Sequence, residues 1–297
     1  MKRVEPPQPE PEDFDAFWRA THDAARRMPL GITRRRLWSP SEDVEVYEVA
    51  YDSWNGVRIG GWAVRPKASR GGAVVGHGYG GRLWFDMEGP LKNLTRIYPC
   101  LRGFNLSAHK DIPWQPQSHV LHGIQSRERY VLRGCAADLW LAASVLLEMW
   151  PDTAANLCYF GGSFGGGMGA LALPWDNRFR AAVLSVPTFG HHPLRLKFKS
   201  KGSAEAVRLY AAEHPEVTAV LRYFDAATAA RRIAIPVLCA PALFDPTVVP
   251  PGQFAVANAL NSQSRLFILP AGHFSAYPGA EEKTAEFNAL TESWLAG

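Results

Sequence analysis

The chain has 297 residues, 47% of them hydrophobic and 20% charged, with a formal net charge of +4. That is enough apolar material for a large core, and without a long basic run interleaved with aromatics nucleic acid binding has no support. The opening stretch MKRVEPPQPEPEDFDAFW lacks an apolar signal core and no apolar run approaches the ~18–20 residues that span a bilayer, so a cytoplasmic protein without a membrane anchor is expected.

Residues 1 to about 12 are rich in Pro and Glu and read as an extended arm. From Asp13, the 3–4 spacing of Phe14, Phe17, Trp18, Thr21, Ala24 and Ala25 predicts an amphipathic helix that Pro29 ends. Alternation in 44–51 and 57–66, around Ser53–Trp54–Asn55–Gly56, predicts a β-hairpin with an Asn-Gly turn. Residues 71–81 (GGAVVGHGYGG) read as a buried strand entering a Gly-rich loop, and Ile97–Leu101 as the next strand. A polar, proline-bearing stretch over 105–127 precedes a long helix from about Ser126 to Trp150. Asn156–Leu173 then reads as strand, G-G-S-F-G turn and helix, and Ala181–Val186 as another strand. Residues 188 to about 231 are a mostly helical insertion carrying Lys197, Lys199 and Lys201, suited to lid a pocket. Ile233–Leu243 and Arg265–Leu269 are the last strands, with helices over about 251–260 and 280–295. Strands alternating with helices after an antiparallel start predict a mainly parallel sheet covered on both faces, with no interdomain linker in 1–297.

In such a sheet chemistry collects at the carboxyl ends of the strands. G-x-S-x-G in a tight strand-to-helix turn holds a serine Oγ clear of the sheet, which makes Ser163 the candidate nucleophile. Asp245 and His273 each follow a later predicted strand. The chain order nucleophile, acid, base is that of an α/β-hydrolase fold: His273 accepts the serine proton and Asp245 fixes its tautomer. Asp176 and Asp225 compete for the acid's place, but neither ends a late strand. His191 and His192 open the insertion and are candidates for substrate contact. The HGYGG loop, His77–Gly81, stands where a second oxyanion donor belongs, so the backbone amides of Tyr79 and Phe164 are the expected pair, with His77 fixing the loop. Cys100, Cys135, Cys158 and Cys239 form no C-x-x-C and read as reduced and structural. No H-E-x-x-H and no G-K-[ST] follow the usual spacings, so no metal or cofactor is expected.

The sequence resembles the acetyl xylan esterase/cephalosporin C deacetylase family of carbohydrate esterases over nearly the whole chain. PEDFDAFW at 11–18, NGVRIGGWAVRP at 55–66, HGYGGR at 77–82 and LRGF at 101–104 are similar to its motifs. So are HGI at 122–124 with Tyr130 and Arg133, GGSFGGG at 161–167 and, most specifically, DPTVVPPGQFAVANAL at 245–260. The resemblance implies the triad Ser163, Asp245 and His273, oxyanion amides from Tyr79 and Phe164, small acetylated substrates such as acetylated sugars, and a hexameric ring. It also marks departures: Phe104 and Phe164 stand where the family usually has glutamine, and Phe274 where it has glutamate. Their expected effect is a drier site in which one apolar repacking replaces polar bonding beneath it. A serine carboxylic ester hydrolase acting through an acyl-enzyme is the expected activity. A peptidase, a thioesterase, or a ligand-binding hydrolase fold without catalysis remain alternatives.

Overall fold

The computed structural model describes residues 4–39 and 41–296. Its strands in chain order are β1 Thr33–Arg36, β2 Val44–Ser53, β3 Val57–Pro66, β4 Gly72–Val75, β5 Thr95–Pro99, β6 Leu157–Gly162, β7 Phe179–Ser185, β8 Val237–Ala240, β9 Ala242–Phe244, β10 Arg265–Leu266 and β11 Leu269–Ala271. The main sheet runs β1-β2-β3-β5-β4-β6-β7-β8-β10. Pairing is antiparallel from β1 through β3 to β5, and parallel from β5 onward. The two halves differ in pattern as their burial requires. β4 and β8 are apolar throughout and buried at every position, because helices or loops cover both faces. β1 is Thr-Arg-Arg-Arg with every residue exposed, an arrangement that protects an open sheet edge from further pairing. The β2–β3 hairpin closes through Trp54–Gly56, where Asn55 takes φ 59°, a region that Asn tolerates.

One face of the sheet packs on the helices Phe14–Arg26, Val131–Met149, Phe164–Ala172 and Pro250–Ala259, which deliver Trp18, Trp140, Met168 and Val256 to a common core. The other face is covered by Phe85, Leu91 and Leu94 from the loop after β4 and by Phe287 and Leu295 of the helix Ala280–Leu295. The long helix begins at Val131 rather than near Ser126, because Tyr130 is extended (φ −59°, ψ 128°). Segment 188–231 is helical over His192–Arg195, Ala204–Glu213, Val217–Leu221 and Ala226–Ala230. All four cysteines are free and buried, and burial pushes the Cys158 and Cys239 thiols up to about 12, which leaves them unreactive.

One expected strand is two. The run Ile233–Leu243 breaks at Pro241, which has no N–H to give, so β8 stays in the main sheet while β9 leaves it. The last strand divides in step: β10 pairs with β8, and β11 pairs with β9 in a separate two-stranded sheet. Asp245 follows β9 directly and His273 stands two residues past β11, so this small sheet brings the two together.

Behind the site a buried ion pair ties three segments. Arg102, just past β5, donates Nε to Asp138 Oδ2 at 3.0 Å and Nη2 to Oδ1 at 2.8 Å, on the long helix. Ser53 Oγ of β2 donates to the same Oδ1, and the Arg102 amide to Oδ2 at 3.1 Å. Removing one member strands a buried charge. Asp138→Ala is therefore expected to lower the unfolding free energy by about 3–5 kcal/mol, measured by urea denaturation.

Candidate active site

β6 ends at Gly162 and the helix Phe164–Ala172 begins two residues on, leaving Ser163 alone to turn the chain. Its backbone sits at φ 55°, ψ −115°, a conformation that costs a non-glycine residue about 1–3 kcal/mol. Three backbone bonds hold it there: Ser163 N–H donates to Ser185 C=O (2.9 Å), while its own C=O accepts from Gly167 (3.0 Å) and Thr188 (3.2 Å). Gly165 makes the turn possible, since a Cβ there would lie 2.9–3.0 Å from the backbone of Gly76 and His77. The reward is position: Ser163 Oγ is 2.9 Å from His273 Nε2.

His273 Nδ1 in turn lies 2.8 Å from Asp245 Oδ2. Asp245 is buried, and Oδ1 accepts from the amides of Thr247 (2.8 Å) and Val248 (2.9 Å), while Oδ2 also accepts from Gln253 Nε2 at 3.0 Å. Asp245 thus accepts at both oxygens, so Nδ1 is the donor to Oδ2 and the Nε2 lone pair faces the serine. Gly272 admits the acid: a Cβ there would fall 2.5 Å from Asp245 Oδ2. The competing carboxylates are otherwise engaged. Asp225 caps the helix Ala226–Ala230 and Asp176 pairs with Arg178.

The HGYGG loop is pinned from both ends. His77 Nδ1–H donates to Gly78 C=O (2.7 Å), and Nε2 accepts from the Leu101 amide (3.0 Å). Tyr79 O–H donates to His119 Nδ1 (3.1 Å), whose Nε2–H donates to Arg102 C=O (3.0 Å). Among the described residues neither the Tyr79 nor the Phe164 amide N–H has a hydrogen-bond partner. The rings of these two residues stack on each other, with centroids 4.1 Å apart and planes 23° apart. Phe104 is buried in the same aromatic group, 6.2 Å from Phe164. Phe274 is not. It is 47% exposed and packs edge-on against Phe244 at the surface, so only two of the three phenylalanines share the expected repacking. The reason is that the chain turns outward after His273, which takes φ 48°.

A cavity of about 190 Å³ opens on Ser163, with Tyr79, Gln117, Thr188, Thr247, Val248 and Lys201–Ala204 among its walls. Lys201 N–H donates to Pro246 C=O (2.8 Å), which seats this part of segment 188–231 against the acid's loop. His191 and His192 do not line it: His191 caps a short helix, and His192 is buried against Phe224 C=O. A larger cavity, about 360 Å³, lies between residues 7–10 and the helices of that segment, and contains none of the three site residues. Among the described residues no His, Cys, Asp and Glu group is placed to hold a metal ion, and no helix is long and apolar enough to cross a membrane.

The acetyl xylan esterase (AXE1) family matches residues 1–290. The chain belongs to the acetyl xylan esterase family. It is 23% identical to the acetyl esterase Axe7A of Xylanibacter ruminicola over 96% of its own length, and spans 66% of the length of that relative. Two solved structures share its fold across both chains. One is the acetyl xylan esterase from Paenibacillus sp. R4 (TM-score 0.82, 23% identity, covering 97% of this chain and 98% of that one). The other is Acetyl Xylan Esterase 1 from Thermoanaerobacterium sp. JW/SL YS485 (TM-score 0.85, 20% identity, 99% and 96%). The architecture is thus that of α/β-hydrolase esterases, as the strand order implies.

Within this acetyl xylan esterase family member, reading the sequence missed His119 and Gln253. His119 gives no signal, because it lies in an irregular stretch. Gln253 gives one: it is the polar residue within the buried run Gly252–Val256. Burial holds the His119 ring down to about 4 and the His77 ring to about 3, from an ordinary 6.5. Both folded values are depressed, so the unfolded chain binds protons that the folded one refuses. Their stabilisation is complete above about pH 6.5 and is lost as pH falls toward 4 and 3. The melting temperature is expected to fall steadily below pH 6.5, and His119→Gln to show a smaller fall between pH 7 and 5, read by calorimetry.

Proposed function

We propose that Ser163, His273 and Asp245 act as a catalytic triad, with the Tyr79 and Phe164 amides as oxyanion donors. The protein is then a serine carboxylic ester hydrolase that removes acetyl or other short acyl groups from a small-molecule or saccharide ester. The observation that carries this is the unbroken chain Ser163 Oγ, His273 Nε2, His273 Nδ1, Asp245 Oδ2, with steps of 2.9 and 2.8 Å, built on a strained serine. Family membership supports this reaction class where the fold alone does not, since the same fold serves peptidases.

Ser163 Oγ attacks the ester carbonyl while His273 Nε2 takes its proton, and Asp245 stabilises the imidazolium that forms. The oxyanion develops toward two N–H groups that have no other partner among the described residues, one of them at a helix N-terminus. His273 returns the proton to the leaving alcohol. Water, activated by the same nitrogen, then releases the acid from the acyl-serine. A cavity of about 190 Å³ opening on Ser163 favours a short acyl group. Acetylated sugar as the natural ester and a hexameric assembly belong to this proposal on family resemblance, and a cytoplasmic location is proposed with them.

Ser163→Ala is expected to lower kcat on p-nitrophenyl acetate by about 10⁴–10⁶ while the circular dichroism spectrum stays that of the wild type. Unchanged turnover would sink the reading. Wild-type kcat/KM should fall in the order acetate, butyrate, octanoate. Equal rates on acetate and octanoate would reject the short-acyl assignment.

A further inference from the structure

Asp245 Oδ2 receives two donors, and only one belongs to His273. The other is Gln253, in the helix Pro250–Ala259, a residue with no exposed surface. All the polar groups of its carboxamide are engaged: Oε1 accepts from the Ala242 amide (2.8 Å), and Nε2 donates to Asp245 Oδ2 (3.0 Å) and to Val248 C=O (2.6 Å). The amide's orientation follows from its partners. Oε1 faces an N–H and Nε2 faces two acceptors, so a flip would lose every bond. Ala242 begins β9, which leads into Asp245, and Val248 follows in the loop after it. One side chain thus clamps the segments before and after the acid as well as its carboxylate.

We infer that Gln253 is a positioning residue: it holds the Asp245 carboxylate in the plane that orients His273, and it shares the electron density of the oxygen that His273 uses. The amides of Thr247 and Val248 fix only Oδ1. Without Gln253 the remaining donor on Oδ2 among the described residues is His273 itself, so Oδ2 can pivot about the fixed Oδ1 with the imidazole it should hold. A polar partner that orients a catalytic group from behind typically changes rate by about 10-fold or more when lost. The effect falls on kcat, because neither Gln253 nor Asp245 lies where an ester binds.

The kinetic part of this inference rests on the ester-hydrolase reading of the same site. Gln253→Met keeps the length and removes the donor. It is expected to lower kcat on p-nitrophenyl acetate about 10-fold with KM within about twofold, and to shift the low-field proton resonance of His273 Nδ1–H. Gln253→Glu, nearly the same shape, sets a second carboxyl group against Oδ2 and is expected to cost more than Gln253→Met at pH 8. Wild-type kcat and an unmoved resonance in Gln253→Met, with only a lower melting temperature, would reduce Gln253 to a structural residue and overturn the inference. Where neither variant folds, the unmodified protein still decides. Protonating His273 must move the Gln253 side-chain amide resonances, and amides that ignore the imidazole overturn the inference. These resonances need no substrate. An inactive wild type with coupled resonances would therefore sink the hydrolase reading and leave the clamp standing.

Discussion

The backbone of Ser163 is the constraint on which the rest depends. A serine at φ 55° is held by Ser185, Gly167 and Thr188, and so by β7, by its own helix and by the start of segment 188–231. None of these holds alone. β7 must be in register with β6 for the Ser185 carbonyl to be there, and the pairing Gly162↔Ser185 supplies it. The parallel sheet is thus the frame that stores about 1–3 kcal/mol of strain at one residue and returns it as an exposed hydroxyl.

A second frame reaches the His77–Gly81 loop from the opposite side. It starts at the Arg102–Asp138 pair, passes through Arg102 C=O to His119, and ends on the Tyr79 hydroxyl. Each link satisfies a buried polar group that would otherwise be costly. Both ring nitrogens of His119 are used, and each use requires the other: the Nε2 proton goes to Arg102, so Nδ1 is left to accept. The neutrality that burial imposes on this imidazole is therefore a requirement of the loop's geometry.

Much of this was legible in the sequence, and what was not has physical reasons. The hairpin, the parallel core strands and the order Ser163, Asp245, His273 follow from alternation, apolar runs and turn chemistry, which are local. The division of the late strands at Pro241 is not local. A proline in a strand shows that a bond is missing, but only the partner strands decide whether the chain continues or peels away. Phe274 is expected with Phe104 and Phe164 because the family resemblance sets all three at positions where a polar residue is usual. Its neighbour His273, at φ 48°, turns it to the surface instead. Gln253 carries its meaning only once Asp245 is known to lie across from it, eight residues back in the chain.

Phe164 shows how an apolar residue next to the serine can hold the site. A glutamine at this position would need buried partners. A phenylalanine needs only a face to lie on, and the face it has is the ring of Tyr79, at 4.1 Å. The two residues whose amides stand unpartnered among the described residues are thereby joined through their own side chains. Tyr79 is tied in turn to His119, and Phe164 is packed by Phe104 and Phe189. Two N–H groups on different segments keep a fixed relation only if something rigid spans them, and here an aromatic stack does so beside the bond from the Gly165 amide to His77 C=O (2.8 Å). The stack's rigidity comes from packing density, which has no hydrogen bond to misplace. The site is thus held by hydrogen bonds around Asp245, and by hydrogen bonds and stacked rings together around Tyr79.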